Sequence, residues 1–200
     1  MTNSPNHPPL GVVLLAAGPS SRLGQPKQLV EVAGESLVAR SARLALGLGP
    51  AQVIVVSGCE AERVAAELEG LAVEIVFNRN WASGMGASIN CGARALPGGV
   101  SGVLLMVCDQ WRLQADDLER LVSAWSSDPS RIRVACWKEG AAHVSGPPTI
   151  FPGRLVPELK SMQERRGARQ LIDRYMDLVE FVEMDNAAYD LDRPEDLERL

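Results

Sequence analysis

Two hundred residues suffice for one domain with a sizeable core, and 46% apolar against 22% charged residues is the balance of a globular chain. A formal net charge of −5 gives no general attraction to nucleic acid or an anionic membrane, so an anionic ligand must be held by local charge. No apolar run reaches membrane-spanning length, and residues 1–9 are polar and proline-rich without the apolar centre of a secretory signal. We therefore expect a flexible tail over 1–9, one domain over 10–200, and a cytoplasmic location. The cysteines Cys59, Cys91, Cys108 and Cys136 lack the short spacing of a zinc or redox motif. Three sit in or beside apolar stretches and read as small core residues, with the thiols kept reduced.

Val12 to Leu15 has the length and β-branching of a buried strand. It breaks into Gly18-Pro19-Ser20-Ser21, which reads as a loop. Small residues there let backbone N–H groups approach a ligand, and successive N–H groups make a concave anion site. Arg22 and Lys27 add two positive charges, one able to grip phosphate with paired hydrogen bonds and one acting as a point charge. A polyphosphate is the natural occupant. The loop lacks both the Walker pattern and the three-glycine dinucleotide fingerprint, and by composition alone an ordinary strand-to-helix turn is an equal reading.

Leu37, Val38, Leu44, Ala45 and Leu48 fall at helical spacing, with Ser36 as N-cap and Gly49-Pro50 as stop. Val53–Val56 is a second strand, Ala61, Val64, Ala65 and Leu68 mark a helix closed by Gly70, and Val73–Phe77 is a third strand. This alternation implies a mostly parallel sheet with helices on both faces, and ligands at the carboxyl ends of its strands. Asn80, Trp81, Gly84, Gly86 and Ser88 follow the third strand at such an end, with a helix over Ser88–Leu96 whose N-terminus favours a negative ligand. Val103–Cys108 is the most apolar strand and ends at Asp109, placed either as a metal ligand or as a loop cap. Leu118, Leu121, Val122 and Trp125 have core spacing on the next helix. Ile132–Trp137 is a strand, His143 lies in a Gly/Ala-rich loop, and Gly146–Phe151 is a proline-rigid turn into a short strand. Leu155, Leu159 and Met162 suggest a helix, Arg165, Arg166 and Arg169 either an anion site or a solvated turn, and Leu178–Val182 a last strand. Asp192 with Glu195 has the spacing of a capping box, with Pro194 early in the helix.

Leu15-Ala16-Ala17-Gly18, Arg22-Leu23-Gly24 and Lys27 together resemble the signature of nucleotidyltransferases that activate small molecules with an NTP. The resemblance runs nearly end to end and is strongest to the branch containing molybdenum cofactor cytidylyltransferase. It rests further on Gly84-Met85-Gly86-Ala87-Ser88, Cys108-Asp109-Gln110, Gly146-Pro147-Pro148, Gly167-Ala168-Arg169 and Asp190-Leu191-Asp192. It implies a single-domain, three-layer, Rossmann-like α/β fold and transfer of a nucleoside monophosphate from an NTP, with release of pyrophosphate. The implied donor is CTP, because Ala17 stands where GTP-using relatives tend to have Gly. The implied acceptor is molybdopterin, in a monomer passing its product to a molybdoenzyme. Nucleotide contacts are expected from Leu15, Ala16, Ala17, Gly18, Ser20, Ser21, Arg22, Lys27, Asn80, Gly84, Gly86, Ser88 and Asp109. Gln110, Gly146, Pro148 and Arg169 are expected on the acceptor side, and Asp109 and Asp192 as ligands of Mg2+. The chain departs from the pattern at four places: Trp111 for Pro, Pro147 where a His is frequent, Glu164-Arg165 for Gly-Asp, and Arg193 for Thr. A GTP-dependent guanylyltransferase and a non-catalytic nucleotide-binding accessory protein are the alternative readings.

Overall fold

The structure, a computed structural model, describes residues 7–163 and 167–200. Strand β1 (Leu10–Leu15) is an unbroken apolar run with five of its six residues buried, which is what a strand covered on both faces requires. A two-strand ribbon follows, β2 (Glu31–Val32) and β3 (Glu35–Ser36), then helix α1 (Leu37–Gly47). Ser36 Oγ accepts from the Ala39 N–H at 3.4 Å, so the expected N-cap is present. Next come β4 (Gln52–Ser57), α2 (Ala61–Glu67), β5 (Glu74–Phe77), α3 (Met85–Ala95), β6 (Gly102–Val107) and α4 (Ala115–Ser127). The chain then forms the hairpin β7 (Ile132–Glu139) and β8 (Ala142–Pro152), two short helices α5 (Val156–Leu159) and α6 (Arg169–Arg174), and β9 (Val179–Glu183).

Seven strands make one sheet in the order β5-β4-β1-β6-β8-β7-β9. Every neighbouring pair is parallel except β6–β8 and β7–β8. The side-chain alternation of β1 sorts the helices into two layers. Val12 and Leu14 face a cluster with α1, α2 and α4, including Val38, Val64, Leu121 and Trp125. Val13 faces the other layer, with Ile89 of α3, Leu159 of α5 and Ile172 of α6. Among the described residues no helix is long and apolar enough to cross a membrane.

Several expected elements moved. Val73 falls outside β5, an edge strand that leaves Ile75 37% and Phe77 51% exposed, so its apolar residues do not mark a buried strand. Helix α3 begins at Met85 rather than Ser88, because the Gly84–Gly86 stretch is its entry and first turn. The helix suggested by Leu155, Leu159 and Met162 is a single 3-10 turn followed by the four residues of α5. Ahead of β1, His7 Nε2 lies 2.8 Å from the Leu48 carbonyl, and the Pro9 carbonyl accepts from Ser101 N–H at 2.7 Å.

Candidate active site

Parallel pairing of β1 with β6 sets Leu15 beside Val107, so both strands discharge their loops on the same edge. The loop after β1 is shaped from behind by Gln28, which is 1% exposed. Its amide nitrogen donates to the carbonyls of Ala16 at 3.0 Å and Gly18 at 2.6 Å. Its oxygen accepts from Ser20 Oγ at 3.2 Å, and that hydroxyl in turn accepts from the Lys27 N–H at 3.0 Å. Ser20 takes a positive φ of 51°, which its own hydrogen bonds hold in place. Gln28 was not singled out in the sequence; a polar residue in a short turn gives no periodic signal.

The loop walls a cavity of about 480 Å³. Leu15, Ala17, Gly18, Lys27, Gly84, Ser88 and Asp109 line it, and Trp81 closes one side. Ala16 and Ser20 support the loop without facing the cavity, while Ser21 and Arg22 are exposed on its outer turn. Gly86 is buried in the first turn of α3. Asn80 is exposed and off the cavity wall, its N–H donating to Asn78 Oδ1 at 3.0 Å. The buried asparagine is Asn78, which donates to Ser88 Oγ at 3.0 Å and so reaches the wall through that hydroxyl.

Two distant segments supply the acids. Past β6, Gln110 forms an antiparallel bridge with Asp190, and Leu191 N–H donates to the Asp109 carbonyl at 3.0 Å. This pairing delivers Asp192 alongside Asp109. Lys27 Nζ donates to Asp109 Oδ2 and, at 3.0 Å, to Asp192 Oδ1. Arg22 stands at the rim, 3.5 Å from Asp192 Oδ2. Asp109 is 8% exposed, and its Oδ1 has no hydrogen-bond partner among the described residues. Burial alone would lower the Lys27 ammonium, but Asp109 and then Asp192 more than offset it and hold it above its usual range.

Asp190 is the acid that the sequence reading passed over as a site residue. The residue as a whole is exposed, yet partial desolvation of its carboxyl, then the charges of Asp109 and Asp192, push it up to about 7. Burial, then Asp109, also raise the Cys108 thiol to about 12, so it lines the cavity as a neutral group rather than a nucleophile. The expected capping box is displaced by one residue. Asp196, not Glu195, caps the terminal 3-10 turn, accepting from the N–H groups of Arg193 at 2.9 Å and Asp192 at 3.1 Å. The Asp192 carboxylate is thereby left to the acid pair.

A second cavity, about 210 Å³, adjoins the first along Leu15, Met85 and Val107. Of the residues expected on the acceptor side, Gly146 and Arg169 line this cavity and Gln110 and Pro148 do not. Gln110 is 3% exposed and spends its amide N–H groups on the carbonyls of Pro147 and Ala187, both at 2.8 Å. It ties the Asp109 loop to β8 and to the segment carrying Asp192, while Pro148 is buried within β8. Trp111 packs edge-on to Tyr189 at 6.0 Å, with the Arg112 guanidinium against both rings. Arg165 and Arg166 lie outside the described residues.

A family model described as the MobA-like NTP transferase domain matches residues 12–179. Nicotine blue oxidoreductase of Paenarthrobacter nicotinovorans is 32% identical over 195 residues, covering 94% of each chain. The bifunctional protein GlmU of Mycolicibacterium gilvum is 33% identical over 132 residues, 62% of this chain, which spans 26% of that protein. Among solved structures, Rv0371c of Mycobacterium tuberculosis superposes with a TM-score of 0.81 at 24% identity, covering 97% of this chain and 98% of its own. A structure of Rv0371c in complex with manganese superposes at 0.77 with 22% identity, covering 96% and 97%. At these identities the structural matches establish the shared fold.

Proposed function

The chain belongs to the family of MobA-like NTP transferase domains and is a nucleotidyltransferase; on that premise we propose that it transfers cytidylyl from CTP to a phosphorylated small molecule. The observation that carries this reading is the convergence of Lys27, Asp109 and Asp192 beside a backbone-walled cavity at the carboxyl ends of β1 and β6. Fixed charge of this kind serves a reaction whose substrates are both anionic.

The residues fit a hard divalent cation. The donors are carboxylate oxygens, one of them buried and without a partner, and an ammonium already occupies the point where they meet. Mg2+ takes one or two carboxylates and completes its shell with phosphate oxygens and water, so an acid pair is a sufficient protein donor set. Asp109 and Asp192 would hold it, and when bound it neutralises charge at the α-phosphate. Lys27 leaves the carboxylates for the β- and γ-phosphates, joined by Arg22 from the rim and by the N–H groups of the loop. An oxygen of the acceptor's phosphate attacks the α-phosphorus, the bond to the bridging oxygen breaks, and pyrophosphate departs with the electron pair. The attacking oxygen is already ionised, so no general base is needed, and the neutral Cys108 thiol takes no part.

Ala17 supports CTP as donor. Ala17 lines the cavity and packs with Trp81 around Gly58, where an added Cβ would lie 2.6 Å from the Ala17 carbonyl, 2.7 Å from Trp81 Cβ and 2.8 Å from Ala17 Cβ. That rigid corner leaves less width for a purine; GTP is the donor of the alternative reading. Molybdopterin is the acceptor that the family resemblance supports.

The test is thermal unfolding with CTP, GTP, UTP and ATP, with and without Mg2+, followed by pyrophosphate release with molybdopterin. Ligand at 100 times its Kd adds about 2.7 kcal/mol. At roughly 2–4 °C per kcal/mol this is a shift of about 5–10 °C. A metal-dependent shift with CTP and pyrophosphate release support the reading. A shift with GTP alone moves it to the guanylyl donor, and binding without turnover to the accessory role. Nicotine blue oxidoreductase is named for a redox reaction of nicotine blue, so that dye with a chemical reductant belongs in the same panel. Dye reduction without pyrophosphate release would overturn the transferase reading.

A further inference from the structure

The smaller cavity offers a different chemistry from its neighbour. Leu15, Ile89, Leu105 and Ile172 give it hydrocarbon walls. Met85 stands where the two cavities join, 54% exposed, with the backbone of Gly167 beside its thioether. A thioether in that position makes favourable contact with an aromatic ring. Hydroxyls are few, and that of Thr149 already donates to the Gly146 carbonyl at 3.2 Å. Arg169 is the one charged side chain among the described lining residues. It bonds Asp173 at 3.0 Å and Ser145 Oγ at 3.3 Å, and the Asp173 pair is solvent-exposed, so it holds the guanidinium weakly. An anionic substituent can displace it with two parallel hydrogen bonds.

We propose that this cavity seats the body of the acceptor, and that the body is a flat, weakly polar ring system bearing an anionic group that Arg169 holds. The word acceptor rests on the transfer reading; the binding chemistry does not. A molecule seated there presents a substituent across Leu15, Met85 and Val107 to the nucleotide cavity. A pterin ring would set its edge donors and acceptors against hydrocarbon with few partners. The lining therefore suits a ring with a bare edge better than molybdopterin, the acceptor that the resemblance implies.

The experiment is calorimetric titration of the full chain with 1-naphthyl phosphate, glycerol 3-phosphate and hydroxymethylpterin phosphate. The naphthyl compound is expected to bind at least tenfold tighter than either of the others. Arg169→Gln should lose about tenfold of that affinity and Met85→Ser several-fold, with unfolding temperatures unchanged because both side chains are exposed. Equal affinity for glycerol 3-phosphate, tighter binding of the pterin, or full affinity in Arg169→Gln overturns the proposal. So does affinity that falls in Arg22→Gln instead, which puts the probe in the nucleotide cavity. A CTP shift measured on the same samples separates the two readings: lost probe selectivity with the shift intact sinks this proposal alone, and the converse sinks only the transfer reading.

Discussion

Lys27→Met removes the ammonium and keeps most of the stem, so its effect reports the charge. The Lys27 side chain is 20% exposed and that of Asp109 11%, which makes this a largely buried pair. Removing one partner of such a pair costs about 3–5 kcal/mol, because the other charge stays buried alone. A proton sets a ceiling. Protonating an ordinary carboxyl at pH 7 costs about 4 kcal/mol, from roughly three pH units at about 1.4 kcal/mol each. The expected loss at pH 7 is therefore about 3–4 kcal/mol. The folded variant holds a proton that the unfolded chain releases, so the penalty is full at neutral pH and shrinks as pH falls toward the ordinary carboxylate range. At pH 5 about 1 kcal/mol should remain. Urea unfolding in chelator at both pH values, for the wild type, Lys27→Met and Lys27→Met with Asp109→Asn, measures this. The double variant should regain most of the loss. A loss below about 1 kcal/mol at pH 7, or an equal loss at both pH values, would refute the argument that Lys27 is the counter-charge of a buried acid.

Asp192→Asn should barely change stability, within about 1 kcal/mol, because its side chain is 40% exposed. Turnover measured as pyrophosphate release should nevertheless fall about 100-fold or more. Gly58→Ala forces a Cβ against the Ala17 carbonyl at 2.6 Å, and should cost about 1–3 kcal/mol and weaken nucleotide binding in the folded protein. Gly102→Ala drives a Cβ into the Trp125 ring, on the far side of the sheet from the nucleotide wall. It should cost about as much in urea unfolding, yet leave the nucleotide affinity of the folded fraction unchanged.

The central strands were legible because burial on both faces needs apolar runs, and Val53–Val56 and Val103–Cys108 each fall within one residue of the observed strand. The edge strand β5 was misjudged at its start because its residues look the same whether covered or exposed. Glycine in the entry to α3 hid its first turn, since Gly84 and Gly86 read as loop. At the site, Lys27, Asp109 and Asp192 stood out by chemistry and family pattern, and their convergence needed the Gln110–Asp190 bridge, which no local spacing encodes. Gln28 and Asn78 were invisible for a related reason: each acts on backbone or side-chain groups ten or so residues away, through hydrogen bonds that leave no periodic trace. The capping residue was misplaced by one because Asp196 and Glu195 are chemically equivalent in a spacing rule.

Asp109 lies 82 residues after Lys27, and Asp192 lies 165 after it. During synthesis the strands of the sheet, through β9, leave the ribosome before Asp192 does. A nascent chain can therefore hold its nucleotide loop and its first acid while the second is still unmade. On the proposed assignment such a chain lacks half of its acid pair until the last segment docks beside Asp109. A protease cut just before Asp192 would undo that step alone, leaving Met184, Ala187 and Leu191 in the core.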